Sequence, residues 1–331
     1  MEQAQLADLG WDAAREAEWG ALGAPPRPGR VVRLDRGWST VAVGRESVRV
    51  RNLGTEVAVG DWVVAGDERV EAVLERRSAF TRRASFAGAK AEPHVLAANI
   101  DTVLLLHALT ATVNPRRLER ELVLAFDSGA QPVVVLTKAD LVAEPAANAS
   151  ALRTVTSTVP ILVVSAVSGQ GLDAVRVLSD GHRTVALLGA SGVGKSTLVN
   201  ALVGREVQAT AEVTATQRGR HTTVAAELIA LPGGGWLLDT PGLRAVSLWW
   251  EGNGIEQAFA DIFELMDHCR FRDCKHEGEP GCAVRAAVAA GTLDPDRLDS
   301  FRRLVDEQVA IEEEQRARDR AADRRGSRRP R

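Results

Sequence analysis

The sequence predicts a multidomain protein: a small β-barrel, then a parallel α/β domain, then a mostly helical region. Three observations predict this arrangement: valine-rich runs between glycines over residues 30–77, strand–helix alternation from residue 100, and a cysteine cluster after residue 268. The 331 residues exceed the roughly 100–200 that are usual for one domain. We therefore expect several domains.

The composition indicates a folded protein of a reducing compartment. Hydrophobic residues make up 45% and charged residues 26%, the balance of a globular chain. No apolar run approaches the roughly 20 residues of a membrane span, and the start, residues 1–5, lacks the pattern of a secretory signal. Three cysteines do not suggest a disulfide framework. The expected location is cytoplasmic.

Two basic regions flank an acidic centre. The net charge is −3, yet residues 27–90 carry 13 Lys/Arg against 8 Asp/Glu, and residues 316–331 carry 8 Arg against 2 Asp. Basic patches attract polyanions such as nucleic acid. Charge alone does not separate that role from a merely solvated surface.

Residues 1–29 are predicted to be an N-terminal extension, and residues 30–90 a barrel. The extension ends in a proline cluster at 25–29, which indicates a linker. About five short strands in so little sequence suit an OB-fold, which often binds single-stranded nucleic acid with aromatic platforms. The possible platforms are Trp38, Trp62, Phe80 and Phe86. Trp62, flanked by valines, is better explained as barrel core.

Residues 95–247 are predicted to form the α/β domain. Apolar runs at 100–106, 133–136, 161–164 and 185–188 are typical of strands buried on both faces. A helical pattern from Pro115 begins the alternation of strands and helices. Such alternation predicts a parallel sheet.

A phosphate loop follows the run at 185–188. It matches G-x-x-x-x-G-K-[ST] between a strand and a helix, the context that supports such a motif. Its backbone N–H groups can surround phosphates, Lys195 supplies a point charge, and Ser196 is placed to bind Mg²⁺. The phosphate-binding residues are Gly189, Ala190, Ser191, Gly192, Val193, Gly194, Lys195, Ser196 and Thr197.

The base-specificity loop, residues 137–140, follows an earlier strand. Its residues Thr137, Lys138 and Asp140 resemble the [NT]-K-x-D element of GTPases. A carboxylate can accept from both guanine N1–H and the N2 amino group, at about 1.5–3 kcal/mol each. Ser165 and Ala166, after the next strand, resemble the element whose backbone N–H meets guanine O6.

Two further segments complete the nucleotide site. Asp239 and Gly242 resemble the D-x-x-G element, which holds Mg²⁺ through water and senses the γ-phosphate. The loop at 218–223 carries Thr222 and Thr223, either of which can be the other Mg²⁺ ligand beside Ser196.

The order of these elements is permuted relative to common GTPases. The base-specificity loop precedes the phosphate loop, so the permutation opens the common GTPase chain order after the D-x-x-G element. The run at 100–106 then supplies the strand that normally follows that element. The prediction is a circularly permuted α/β P-loop GTPase domain. Its D-x-x-G element leads straight into the C-terminal region.

Residues 248–310 are predicted to be a helical zinc-binding domain. The ligands follow a C-x4-C-x-H-x5-C pattern: Cys269, Cys274, His276 and Cys282. Three thiolates and an imidazole suit tetrahedral, structural Zn²⁺. His268 is a weaker alternative ligand, and free or redox-active thiols are the alternative to a metal. Residues 311–331 form an Arg-rich tail, expected to be disordered.

Together these features resemble the ribosome small-subunit-dependent GTPase A family (RsgA, also called YjeQ) over about residues 30–305. The resemblance implies a GTPase that binds the 30S subunit late in its maturation and is stimulated by it. It also implies that the barrel and zinc domain contact 16S rRNA and ribosomal protein, while the GTPase domain times release. Thr137, where the family more often has Asn, and the Arg-rich tail are departures.

The position after Gly242 is Leu243, which cannot orient the attacking water. His221 is the candidate for that role beside Lys195, and its alternative is an rRNA contact or a loop cap. Two other functions remain open: a P-loop ATPase or kinase, which Asp140 disfavours, and an RNA-binding scaffold that uses GTP without turnover. Nothing in the sequence indicates an obligate oligomer, so a monomer is expected.

Overall fold

The computed structural model describes residues 2–83, 93–207, 226–239, 248–249 and 253–326, apart from positions 24, 26, 36, 154, 157 and 158. The chain divides into two compact units, Met1–Trp249 and Trp250–Arg331. No helix in the described ranges is long and apolar enough to span a membrane.

Short antiparallel strands fill the region where the sequence predicts a barrel. The strands are β1 (Pro28–Asp35), β2 (Trp38–Val43), β3 (Glu46–Arg51), β4 (Trp62–Ala65) and β5 (Val70–Val73). β1 pairs with both β2 and β4, β2 pairs with β3, and β4 pairs with β5. A bridge between Arg51 and Arg69 brings the end of β3 to the start of β5. The pairing therefore runs around a ring.

The alternating valines form the core of this ring. Val31, Val41 and Val63 are fully buried and pack with Val50 and Val70. β-Branched side chains suit such a pleated, half-buried surface.

The N-terminal extension forms two helices, α1 (Glu2–Ala7) and α2 (Ala13–Ala21), and packs on the barrel. Trp11 lies edge-on to Trp62, with ring centroids 4.9 Å apart. The predicted linker at 25–29 is shorter than expected, because β1 already begins at Pro28. A proline at a strand's first residue removes no essential ladder bond.

A three-stranded sheet joins segments distant in sequence. It has the order β14–β6–β7, from β6 (Ala79–Arg83), β7 (Pro93–Ala98) and β14 (Leu248–Trp249). β14 begins six residues after Gly242 of the D-x-x-G segment.

The α/β domain has the strand order β12–β13–β11–β8–β9–β10. Its strands are β8 (Thr102–Ala108), β9 (Gln131–Thr137), β10 (Ile161–Val163), β11 (Thr184–Gly189), β12 (Glu227–Ala230) and β13 (Trp236–Asp239). Its helices are α3 (Pro115–Asp127), α4 (Pro145–Ala151), α5 (Leu172–Val177) and α6 (Lys195–Val203). All neighbours are parallel except β12 and β13. β8 lies between β9 and β11, as the permutation predicts.

Helix starts follow their sequence signals. The Asn114 side chain accepts the Arg117 N–H at 3.3 Å and caps α3, with Pro115 at its first position.

The α/β and barrel strands also join, because β1 pairs with β12 at Arg33 and Glu227.

The second unit consists of α7 (Asn253–Ala258), α8 (Ala260–Met266), α9 (Ala283–Ala289) and α10 (Pro295–Gly326). The Phe301 ring of α10 lies 5.5 Å from Phe259 and 5.7 Å from Phe263. The expectation of a disordered tail from residue 311 is wrong for its first part, since α10 continues to Gly326. Helix-favouring residues and the Glu312–Arg316 i,i+4 pair, at 3.2 Å, support this continuation.

Candidate functional site

The phosphate loop lies between β11 and α6, where parallel strands end. Gly192 and Gly194 have φ of +80° and +96°, a conformation that side chains disfavour. Lys195 Nζ donates to the carbonyls of Gly189 and Ala190, both at 2.7 Å. The ammonium is therefore held across the loop beside the N-terminus of α6, a place suited to anionic phosphates.

The base-specificity loop is bound to the phosphate loop. Thr137, buried at the end of β9, donates its hydroxyl to the carbonyl of Val193 at 2.6 Å. Lys138 has φ of 60°, and its Cε lies about 4.0 Å from where a Cβ on Gly194 would be. The hydrogen bond that joins the two loops therefore comes from the threonine hydroxyl.

Asp140 and Ser165 meet at the adjacent strand end. Ser165 Oγ donates to Asp140 Oδ1 at 2.6 Å, and the Ser165 side chain is fully buried. Ala139 N–H donates to the Val164 carbonyl at 3.2 Å, which joins the two loops. Ala166, half-buried, follows at the edge of this pair. Asp140 is exposed, and one of its carboxylate oxygens has a protein partner.

The residues predicted to bind Mg²⁺ are only partly described. Asp239 ends β13, which lies parallel beside β11, and Ser196 is the second residue of α6; both side chains are half-buried. The structure therefore brings Asp239 to the same end of the sheet as the phosphate loop. His221, Thr222, Thr223, Gly242 and Leu243 lie outside the described residues.

A second cluster lies in the C-terminal unit. The ligand atoms of Cys269, Cys274, His276 and Cys282 all lie within 4.8 Å of one another. His276 Nδ1 is 3.4 Å from Cys282 Sγ and 3.7 Å from Cys269 Sγ, and these two sulfurs are 4.0 Å apart. His268 is exposed and outside this cluster.

The electrostatics of this cluster favour metal ligation. Burial lowers the pKa of His276, which keeps the imidazole neutral. Burial opposes ionisation of Cys269, but the N–H groups of Val284 and Ala283 at the start of α9 bring its pKa below the usual value. Arg302 on α10 donates to the His276 carbonyl and anchors the segment.

Sequence reasoning missed Arg30, a buried arginine that contacts the first residue of β11, the strand before the phosphate loop. Arg30 on β1 donates to Thr184 Oγ1 at 2.6 Å, to the Leu9 carbonyl at 2.6 Å and to the Asn99 carbonyl at 3.1 Å. Burial lowers its pKa to about 10, so it stays charged at neutral pH. No sequence signal marked it, because a single arginine in a valine-rich strand reveals no partner.

The strand order, the phosphate loop and the base-specificity loop that bonds to Ser165 define a circularly permuted P-loop GTPase. A family model described as "RsgA GTPase" matches residues 73–249. The chain belongs to that family.

Relatives and solved structures agree with this assignment. The chain is 45% identical to "Small ribosomal subunit biogenesis GTPase RsgA" of Streptomyces coelicolor, over 96% of this chain and 90% of the relative. It is 41% identical to the protein of that name from Xylella fastidiosa, over 92% and 94%. The crystal structure of YjeQ from Thermotoga maritima has a TM-score of 0.63 and 27% identity, covering 86% of this chain and 98% of that one. "YloQ, a circularly permuted GTPase", at 23% identity and a TM-score of 0.59 over 86% and 96%, shares the fold.

Proposed function

We propose that this GTPase binds the 30S ribosomal subunit late in its maturation, that the subunit stimulates GTP hydrolysis, and that hydrolysis is coupled to release. The Thr137–Val193 bond, which joins the base-specificity and phosphate loops in a permuted sheet, supports the GTPase part of the proposal. The observation that carries the 30S part is the likeness to named relatives. Relatives whose names state small-subunit biogenesis match nearly the whole chain.

Guanine nucleotide binds across the two loops. Asp140 accepts from the guanine edge, Ser165 and Ala166 support its carbonyl side, and Lys138 lies along the base. The segment Gly189–Thr197 surrounds the phosphates. The Lys195 ammonium stabilises the negative charge that develops on the phosphate oxygens in the transition state.

Mg²⁺ fits the oxygen donors at the end of β11 and β13. Ser196, Asp239 and one of Thr222 and Thr223 would hold it, the aspartate through water. Mg²⁺ held by these residues would supply positive charge for the outer phosphates. Gly242 N–H would sense the γ-phosphate.

His221 is proposed to hydrogen-bond the attacking water, because the apolar Leu243 cannot. His221 then orients the attacking water, and Lys195 stabilises the negative charge of the phosphates.

Zn²⁺ is the ion that the cysteine cluster fits. A tetrahedral site with zinc–ligand bonds of about 2.0–2.3 Å has ligand–ligand edges of roughly 3.5–3.8 Å. The three separations in the cluster lie between 3.4 and 4.0 Å. His276 would bind through Nδ1, the nitrogen that faces the sulfurs. Four protein ligands leave no open position, so the role is structural.

The β1–β5 barrel is proposed to be an OB-fold that contacts 16S rRNA. Trp62 and Phe80 are buried, and Phe86 lies outside the described residues, which leaves the half-buried Trp38 as the platform. The exposed guanidinium groups of Arg49 and Arg51 lie 5.2 and 5.0 Å from the Trp38 ring centre. Such an aromatic and basic face suits single-stranded nucleic acid.

Sedimentation with isolated 30S subunits tests the proposed partner. The protein, expected to act as a cytoplasmic monomer, should co-sediment with 30S in a non-hydrolysable GTP analogue and less so in GDP, and should not co-sediment with 50S. Equal recovery with all subunits and nucleotides would contradict the proposal.

A further inference from the structure

Asn99 lies where the chain passes from β7 into the α/β sheet. It follows β7 directly and precedes β8 by three positions. Its φ is +55°, a left-handed conformation that asparagine adopts more readily than most residues with a side chain. The residue is buried, so its polar groups need partners within the protein.

Those partners come from separate segments of the N-terminal unit. Asn99 Oδ1 accepts Arg15 Nη2 of α2 at 2.6 Å and the Arg77 N–H at 3.1 Å. Its Nδ2 donates to the Gly60 carbonyl, just before β4, at 3.0 Å. Its own carbonyl accepts Arg30 Nη2 of β1 at 3.1 Å. Asn99 therefore joins the N-terminal extension, the barrel and the entry to β8.

Arg30 continues this network to β11, the strand before the phosphate loop. Its guanidinium also donates to Thr184 Oγ1, on the first residue of β11, at 2.6 Å. Asp101 holds the same residue, because its Oδ2 accepts the Thr184 N–H at 2.7 Å and its own N–H donates to the Thr184 carbonyl at 2.9 Å. The start of β11 is thus fastened both to β1 and to the residues before β8.

β11 connects this network to the phosphate loop. All six of its residues are buried, and it pairs with β8 on one edge and β13 on the other. Its ends are roughly 16 Å apart at about 3.3 Å per residue. Close-packed interiors transmit displacements rather than absorb them. A shift at Thr184 would therefore reach Gly189, the first residue of the phosphate loop.

The other end of the network lies on the hairpin that carries Trp38. In this β1–β2 hairpin Asp35 is opposite Trp38, and Arg30 is opposite Ala42. A ligand bound at Trp38 therefore contacts the hairpin on which Arg30 lies. Burying a guanidinium is costly, and apolar contacts avoid that cost, but only directional hydrogen bonds fix the orientation of the joined strands.

We propose that Asn99 and Thr184 are positioning residues that couple ligand binding at the barrel to the phosphate loop. Asn99 holds Arg30, and Arg30 holds Thr184 at the start of the strand that ends in the loop. The inference rests on the proposed function and deepens it, since it names the route by which 30S binding changes GTP turnover.

Thermodynamic linkage supplies a readout that a merely structural role would not move. The factor by which GTP rather than GDP tightens 30S binding equals the factor by which 30S favours GTP over GDP. Dissociation constants for 30S in a non-hydrolysable GTP analogue and in GDP measure it. Thr184→Val keeps the shape but removes the acceptor, and should reduce this factor roughly 2- to 30-fold, the range for residues of a coupling network. Basal turnover without 30S should be unchanged.

Two further variants make the test specific. Asn99→Gly keeps the left-handed backbone but removes the amide, and should reduce the factor as Thr184→Val does. Thr102→Val, at the buried first residue of β8, is the matched control and should keep the parental factor. Urea unfolding checks that each variant is folded. A parental factor in Thr184→Val and Asn99→Gly, or an equal loss in Thr102→Val, would overturn the proposal, whereas failure of the parent protein to bind 30S would refute the proposed function itself.

Discussion

The Thr137 hydroxyl and the Val193 carbonyl are 2.6 Å apart, and their hydrogen bond joins the base-specificity loop to the phosphate loop. Because Thr137 is buried, its hydroxyl bonds to the protein rather than to solvent. Threonine therefore makes the tie between these two loops. We expect guanine specificity to rest on Asp140.

Thr137→Val should weaken GTP binding without changing base preference. The variant keeps shape but loses a neutral bond worth about 0.5–1.5 kcal/mol, which corresponds to roughly 2- to 12-fold in Kd. Fluorescent-nucleotide titration measures this. Thr137→Ser, which keeps the hydroxyl, is the control, and a Thr137→Val variant with parental affinity would refute the role of the tie.

Asp140→Asn should exchange guanine for xanthine preference. An amide can donate where the carboxylate accepts, and xanthine carries an oxygen in place of the guanine amino group. We expect the affinity for GTP to fall by roughly 10²-fold or more, since charge-assisted bonds are lost. Competition between GTP and XTP for the variant is the measurement. Retained GTP preference would show that another group recognises the base.

Arg30→Met should destabilise the N-terminal unit. The change leaves the acceptors at Leu9, Asn99 and Thr184 unpaired, and each such buried group costs about 1–3 kcal/mol, partly offset by relief of the buried charge. Urea unfolding should show a net loss of about 2–4 kcal/mol.

The matched control for Arg30 is Arg33→Met on the same strand. The side chain of Arg33 is 47% exposed, and its pairs with Asp35 and Glu227 are 3.3 and 3.9 Å long. Exposed pairs contribute about 0–1 kcal/mol. Equal losses at both positions would contradict the account of the buried network.

Metal should be retained at neutral pH and released on acidification. Because burial lowers the pKa of His276, the unfolded chain takes up its proton first as pH falls below about 6.5, so stability decreases in that direction. Metal release followed with a chromogenic chelator should rise as pH drops. Cys282→Ser should release metal already at neutral pH. Retention of metal by that variant would exclude Cys282 as a ligand.

Much of the fold follows from patterns visible in the chain. The place of β8 beside β11 follows from the motif order, and the meeting of Cys269, Cys274, His276 and Cys282 follows from ligand spacing. Both depend on residue type and order, which a sequence records.

Other features depend on partners that are far apart in sequence. Arg30 is 154 positions from Thr184 in sequence, and only the folded chain brings its side chain to the start of β11. The helical continuation of residues 311–326 was missed because the arginine run outweighed the i,i+4 pairing of Glu312 and Arg316. In each case tertiary or periodic context decided the outcome.

GTP turnover by the zinc-loaded protein, alone and with isolated 30S or 50S subunits, tests the central claim most directly. We expect strong stimulation by 30S only, and we expect His221→Ala to keep GTP affinity but lose the stimulated rate. A turnover rate indifferent to 30S would contradict the account. An unchanged stimulated rate in His221→Ala would remove that residue from the mechanism.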